Sequence, residues 1–196
     1  MSAAPYRSVL ARATTAVVLV MLALAFVVAR SWPSPGGGAA GPGEATVVRV
    51  VDGDTVVVDV GGTTESVRLI GIDTPESVAR DRPNECYGTQ AADQLRSLLA
   101  PGTAVRLTRD VEPRDVYDRL LAYVQRSADG VFVNAAQVAG GFAEAKHYPP
   151  NTAHRDEFEQ AERTARQAGL GLWSACGGPD VPLPAEAGHL TGAPRQ

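Results

Sequence analysis

Apolar and polar positions divide this chain into segments of different period. Thr46 to Val51, Asp54 to Val60 and Glu65 to Ile72 are rich in β-branched residues, and Gly61-Gly62 supplies a hairpin turn between the second and third. Val105 to Asp110 and Arg119 to Gln125 continue the strand pattern. Asp129-Gly130 then marks a tight hairpin before Val131-Phe132-Val133. Ala91, Leu95, Leu98 and Leu99 recur at helical spacing and stop at Pro101-Gly102, which predicts an amphipathic helix. Asn134 is placed to cap a short second helix. A third is expected from about Thr152 to Ala168, with Asp156, Glu157 and Glu159 early, Arg163 and Arg166 late and Gly169 as its stop, an order that suits the helix dipole. The prediction is an α+β, mainly β domain, a five-stranded barrel with about three helices.

The N-terminal region follows another pattern. Arg7 and Arg12 precede an uncharged apolar run from Ala13 to Ala29, a length between a signal-peptide core and a short membrane span. Residues 1–30 are therefore expected to be a signal peptide or an N-terminal membrane anchor. Val27-Val28-Ala29 could serve for cleavage, so cleavage and anchoring are both open. Residues 31–44, rich in Pro and Gly, read as a linker. The upstream arginines keep the N-terminus inside, which places the domain outside the cytoplasm, secreted or anchored. Residues 45–176 are expected to form one folded domain and 177–196 a disordered tail; no internal repeat is visible.

Candidate chemistry collects at two acidic corners. Val67-Arg68-Leu69-Ile70-Gly71-Ile72-Asp73-Thr74-Pro75-Glu76 is an apolar strand interrupted by an arginine and ended by two carboxylates. Thr74 precedes a proline and is pushed out of helical geometry, while Pro75 has no N–H, so an extended corner can present Asp73, the Thr74 carbonyl and Glu76 together. The second corner is Asp52-Gly53-Asp54-Thr55. Close carboxylates repel unless a cation lies between them, and hard oxygen donors suit calcium better than magnesium. In Asp115-Val116-Tyr117-Asp118-Arg119-Leu120-Leu121-Ala122-Tyr123-Val124 an arginine again opens an apolar strand. Two such arginines beside a carboxylate-held cation suit a phosphodiester, because planar guanidiniums bind phosphoryl oxygens at two points.

These blocks, in this order and closed by Gly-Leu-Trp-Ser at 171–174, resemble the staphylococcal nuclease (thermonuclease) family from about Ala45 to Cys176. The resemblance implies an OB fold and a calcium-dependent nuclease with one Ca2+ ion that cleaves DNA and RNA with little sequence preference, leaving 3′-phosphate products. By position it implies Asp54, Asp73 and the Thr74 carbonyl as metal ligands, and Arg68, Glu76 and Arg119 as the catalytic trio. Asp52 matches a carboxylate near the metal, and Tyr117 and Tyr148 match tyrosines of the nucleotide pocket. Val116 departs from the family's usual lysine, which removes a phosphate contact, and Glu144 to Tyr148 aligns with a one-residue ambiguity that leaves a second pocket tyrosine without a clear counterpart. The rival reading is a non-catalytic OB module that binds nucleic acid or another anionic polymer. It has no need of a water-activating carboxylate such as Glu76.

Other features are read more simply. A formal net charge of −4 lacks the basic surface of a tight nucleic-acid binder, so modest, salt-sensitive affinity is expected. Cys86 and Cys176 are the only cysteines, and in an exported chain they invite a disulfide. His147, His154 and His189 lack ligand spacing and read as solvated or hydrogen-bonded surface groups. Tyr123 is expected to fill the barrel and Trp173 to pack the end of the last helix. A monomer is expected, with membrane contact only through an uncleaved N-terminal segment.

Overall fold

The computed structural model describes residues 43–77 and 84–183. In chain order its elements are β1 (Glu44–Val50), β2 (Thr55–Val60), β3 (Thr63–Leu69), β4 (Ile72–Asp73), α1 (Gly88–Leu98), β5 (Ala104–Thr108), β6 (Leu120–Arg126), α2 (Val133–Ala139), β7 (Glu144–Ala145), α3 (Arg155–Gln167) and α4 (Leu172–Ala175). β1, β2, β3, β6 and β5 close a barrel, and β4 pairs with β7 in a separate two-stranded sheet. All barrel pairs are antiparallel except β3 with β6. This is the mainly β, five-stranded barrel predicted from the strand pattern, and it is OB-like as the resemblance implies. The N-terminal apolar run, the linker before Gly43 and His189 lie outside the described residues. Among the described residues no helix is long and apolar enough to cross a membrane.

The alternation seen in the sequence sorts side chains between barrel interior and surface. Val47, Val56, Val58, Val67, Leu69, Val105 and Val124 are buried inside, joined by Leu95 and Leu99 at the α1 end and by Phe158 of α3. Each fully buried side chain of this size contributes about 1.5–3 kcal/mol relative to exposure. Tyr123 is buried, but alternation along β6 sets it on the opposite face from the interior Val124, so it packs against the outside of the barrel rather than filling it as expected. Its ring lies 6.1 Å from those of Phe132 and Phe158, and its hydroxyl donates to Asp110 at 2.9 Å.

The structure corrects several local readings. Val131-Phe132-Val133 is not a full strand: Phe132 makes one bridge to Gln125, and Val133 already begins α2. Nor does Asn134 cap that helix. Its buried carboxamide accepts the Val124 N–H and donates to the Ile70 carbonyl, both at 2.9 Å, satisfying main-chain groups of two chain segments at once. His147 is not a surface group, because its side chain is only 9 % exposed and stacks parallel to Phe158, and burial pushes its pKa down. His154 packs edge-on against Tyr123 and Phe132 while its Nδ1 meets Glu157. Four helices occur among the described residues rather than about three; the extra one is the turn α4, where Trp173 lies 4.8 Å beneath the Arg166 guanidinium.

Cys86 and Cys176 form a disulfide across 90 positions of sequence. The chain beyond Cys176 does not leave the domain at once: the Val181 carbonyl accepts the Cys86 N–H at 2.7 Å, and the Leu183 N–H donates to the Asn84 carbonyl at 2.8 Å. The expected disordered tail therefore begins too early at Gly177. Closing a loop this long contributes on the order of 4 to 5 kcal/mol in the chain-entropy account. The Cys86→Ala, Cys176→Ala double variant is accordingly expected to unfold at clearly lower urea; an unchanged midpoint in the oxidised comparison would contradict this.

Candidate active site

Strand register assembles the site. Pairing of Thr55 with Arg68 between β2 and β3 sets Asp54, at the end of the β1–β2 turn, beside Arg68. The parallel match of Arg68 with Leu121 and of Val67 with Leu120 brings Arg119, just ahead of β6, to the same rim. The β4–β7 pair sets Asp73 opposite Glu144. The β1–β2 turn itself depends on a residue without a side chain, since a Cβ at Gly53 would lie 2.6 Å from the Thr74 hydroxyl and 2.9 Å from the Ala91 Cβ.

The carboxylates converge on one guanidinium. Arg68 Nη2 lies 2.7 Å from Asp73 Oδ1 and 3.1 Å from Asp54 Oδ2, while Nη1 donates to the Leu69 and Ile72 carbonyls at 2.6 and 3.0 Å. Asp54 Oδ2 also accepts the Thr74 N–H and hydroxyl, both at 3.0 Å, and Thr55 donates to Asp54 Oδ1. Thr74 thus positions Asp54 through its two donors. Burial pushes the Asp54 carboxyl up to about 6; the Arg68 charge opposes this, the Asp52 and Asp73 charges add to it, and the Thr74 N–H works against it. A buried carboxylate raised in this way, with acidic neighbours, is the environment that a bound cation would relieve.

Asp73 is held from its other side by Lys146, whose Nζ lies 2.7 Å from Oδ2 and 3.1 Å from Glu144. Burial works against the lysine charge, but these two carboxylates more than offset it and raise its pKa above the usual lysine range. Asp73, Glu144 and Asp180 bring carboxylate oxygens within 4.8 Å of one another. The sequence reading missed Lys146, Glu144, Asp180 and Glu85. The first two reach the site only through β4–β7 pairing, and Asp180 only because the chain after the disulfide folds back.

Two cavities meet at the arginines. A polar one of about 220 Å³ is lined by Asp52, Asp54, Asp73, Thr74, Glu76 and Glu85 among others. An apolar one of about 370 Å³ includes Ile70, Ile72, Val116, Tyr117, Leu121 and Tyr148 in its lining. Arg68 and Arg119 line both. Asp115 grips Arg119 at the root of its guanidinium, by Nε at 2.7 Å and by the main-chain N–H at 2.9 Å. Burial tends to raise the Asp115 carboxyl, but these bonds hold it below the usual range. Arg119 also sits 5.5 Å over the Tyr117 ring. Tyr117 and Tyr148 are 78 % and 62 % exposed, so their rings are available to a ligand, and Val116 is more exposed still. Every residue assigned from the sequence to metal, catalysis or pocket thus lines one or both of these adjoining cavities.

The family model for staphylococcal nuclease homologues matches residues 66–175. The chain belongs to the staphylococcal nuclease family. It is 44 % identical over 127 residues to a thermonuclease of Staphylococcus intermedius, an overlap that covers 65 % of this chain and 74 % of the relative. A thermonuclease of Staphylococcus hyicus is 35 % identical over 167 residues, 82 % of this chain and 97 % of its own length. The endonuclease YncB of Bacillus subtilis is 35 % identical over 136 residues, 67 % of this chain and 62 % of the relative. Membership in this family makes the protein a nuclease of the hydrolase class, and the two adjoining cavities are its candidate active site.

Proposed function

We propose that this nuclease hydrolyses phosphodiester bonds of DNA and RNA with little sequence preference, using one calcium ion. The single observation that carries the reading is that Arg68 and Arg119 line both the oxygen-rich cavity and the apolar, tyrosine-bearing one. A nucleotide laid across this boundary has its base or sugar against Tyr117 and Tyr148, and its phosphate beside the two arginines. Base stacking on exposed aromatics tolerates any sequence, because every base has a π-face.

The donor set fits calcium, since Asp54, Asp73 and the Thr74 carbonyl offer only oxygen and neither histidine nor cysteine lines the polar cavity. When bound there, calcium would supply Lewis-acid stabilisation of a phosphoryl oxygen. The chain's own residues do the rest. Arg68 and Arg119 oppose the negative charge that grows on the phosphoryl oxygens. Glu76 orients and deprotonates the attacking water. Attack at phosphorus with departure of the 5′ oxygen leaves a 3′-phosphate and a 5′-hydroxyl. End-group analysis of products from single-stranded DNA tests this: 3′-phosphate ends are expected, and 3′-hydroxyl ends or uncut substrate would contradict it.

We also place the domain outside the cytoplasm, secreted or anchored. The charged-then-apolar N-terminal pattern supports this, as does the Cys86–Cys176 disulfide, a bond that persists in oxidising compartments. The protein acts as a monomer in this reading, with nucleic acid as its partner.

A further inference from the structure

At the wall of the polar cavity, the chain around Glu85 is built by contacts that no local pattern requires. Glu85 is 6 % exposed, and a carboxylate buried this far needs its oxygens hydrogen-bonded. Its Oε2 accepts the Glu76 N–H at 2.9 Å, and its own N–H donates to the Glu76 carbonyl at 2.8 Å. One residue therefore grips both main-chain polar groups of Glu76. The start of α1 presses on the same peptide: the Gly88 N–H donates to the Glu85 carbonyl at 3.1 Å, and a Cβ at Gly88 would lie 2.5 Å from the Glu76 carbonyl oxygen.

On the other side, Glu85 lies opposite Pro182 in an antiparallel bridge, flanked by the bonds of Cys86 to Val181 and of Leu183 to Asn84. The Cys86–Cys176 disulfide fastens this short ladder to the end of α4. The contacts form a chain from the disulfide through the 181–183 strap to Glu85 and then to Glu76.

We propose that Glu85 is a positioning residue for turnover, which fixes the Glu76 peptide, and with it the Glu76 carboxylate, against the polar cavity. The stapled strap keeps Glu85 in place. The need for such a brace follows from the corner itself. Pro75 has no N–H to anchor the approach to Glu76, and a base displaced by about 1 Å can lose on the order of 100-fold in rate. This inference rests on the reading of Glu76 as the water-orienting carboxylate.

The test is steady-state hydrolysis of single-stranded DNA at saturating calcium by the full chain with its disulfide intact. It compares Glu85→Ala, Glu85→Gln, Glu76→Gln and the Glu76→Gln, Glu85→Ala pair, with each fold checked by thermal melt. Glu85→Ala is expected to lower kcat by about 10-fold or more with KM moved by less than about threefold. Glu85→Gln keeps an oxygen acceptor at the same reach and should recover most of the rate. In the Glu76→Gln background the alanine should cost nothing further, because Glu85 acts only through Glu76.

A folded Glu85→Ala with unchanged kcat, a glutamine variant no better than alanine, or a full additional loss in the double variant would each overturn the proposal. The last would make Glu85 a group that acts on its own in the cavity. If Glu85→Ala melts below the assay temperature, Glu85→Met, which fills the volume without an acceptor, carries the same comparison. A wild-type rate for Glu76→Gln alone would strike the reading of Glu76 itself, and the role of the brace in turnover would fall with it.

Discussion

Glu76→Gln is expected to lower turnover on single-stranded DNA by roughly 100-fold or more, the size of a general-base contribution, with little change in substrate affinity. Glutamine keeps the shape and the main-chain bonds to Glu85, so the fold should survive. What it loses is an oxygen basic enough to take a proton from water. A turn glutamate that served only to shape the corner would tolerate the change. Rate and thermal melt measured on the same preparation separate the two: a folded variant at the wild-type rate would leave the barrel a binding scaffold.

Arg119→Lys should cut the rate by about 10- to 100-fold, the equivalent of losing one charge-assisted hydrogen bond worth about 1.5–3 kcal/mol. Lysine preserves the charge but not the planar fork. The geometry sharpens the forecast, because Asp115 holds the guanidinium by Nε and so fixes its plane at the boundary of the two cavities. A lysine ammonium is a single point that Asp115 would draw away from the substrate. If Arg119 were an ordinary edge charge, the lysine variant would cleave at the wild-type rate, and saturation kinetics would show it.

Much of this architecture was legible because the residues that carry it obey local rules. The valine runs of β1 to β3, the spacing of Ala91, Leu95 and Leu99 in α1 and the turn at Gly61-Gly62 follow from period and turn chemistry alone. Arg68, Asp73, Glu76 and Arg119 could be singled out because they interrupt or end apolar strands, Asp54 by its Asp-Gly-Asp turn and Thr74 by the Thr-Pro corner, while their separate roles come from the family resemblance. What stayed hidden depends on contacts between distant segments. Asn134 looks like a cap until the barrel places the Val124 N–H and the Ile70 carbonyl on either side of it. His147 looks polar until Phe158 covers it. Lys146 and Glu144 join the site only through pairing of two-residue strands too short to show a period. Glu85 is marked in the sequence only by its place beside Cys86, and its main-chain bonds with Glu76 are visible only in the three-dimensional structure.

The oxygen cluster also bears on the charge of the chain. A net −4 with several carboxylates lining the polar cavity opposes a polyanion at long range, and a bound calcium would offset part of that field locally. Modest, salt-sensitive affinity is the behaviour this balance implies.

Calcium dependence is tested by the rate of single-stranded DNA hydrolysis by the wild-type protein, followed as calcium is added to metal-free enzyme and then removed with excess chelator. The rate is expected to rise to saturation with calcium and to collapse on chelation. Undiminished hydrolysis in excess chelator would contradict that dependence.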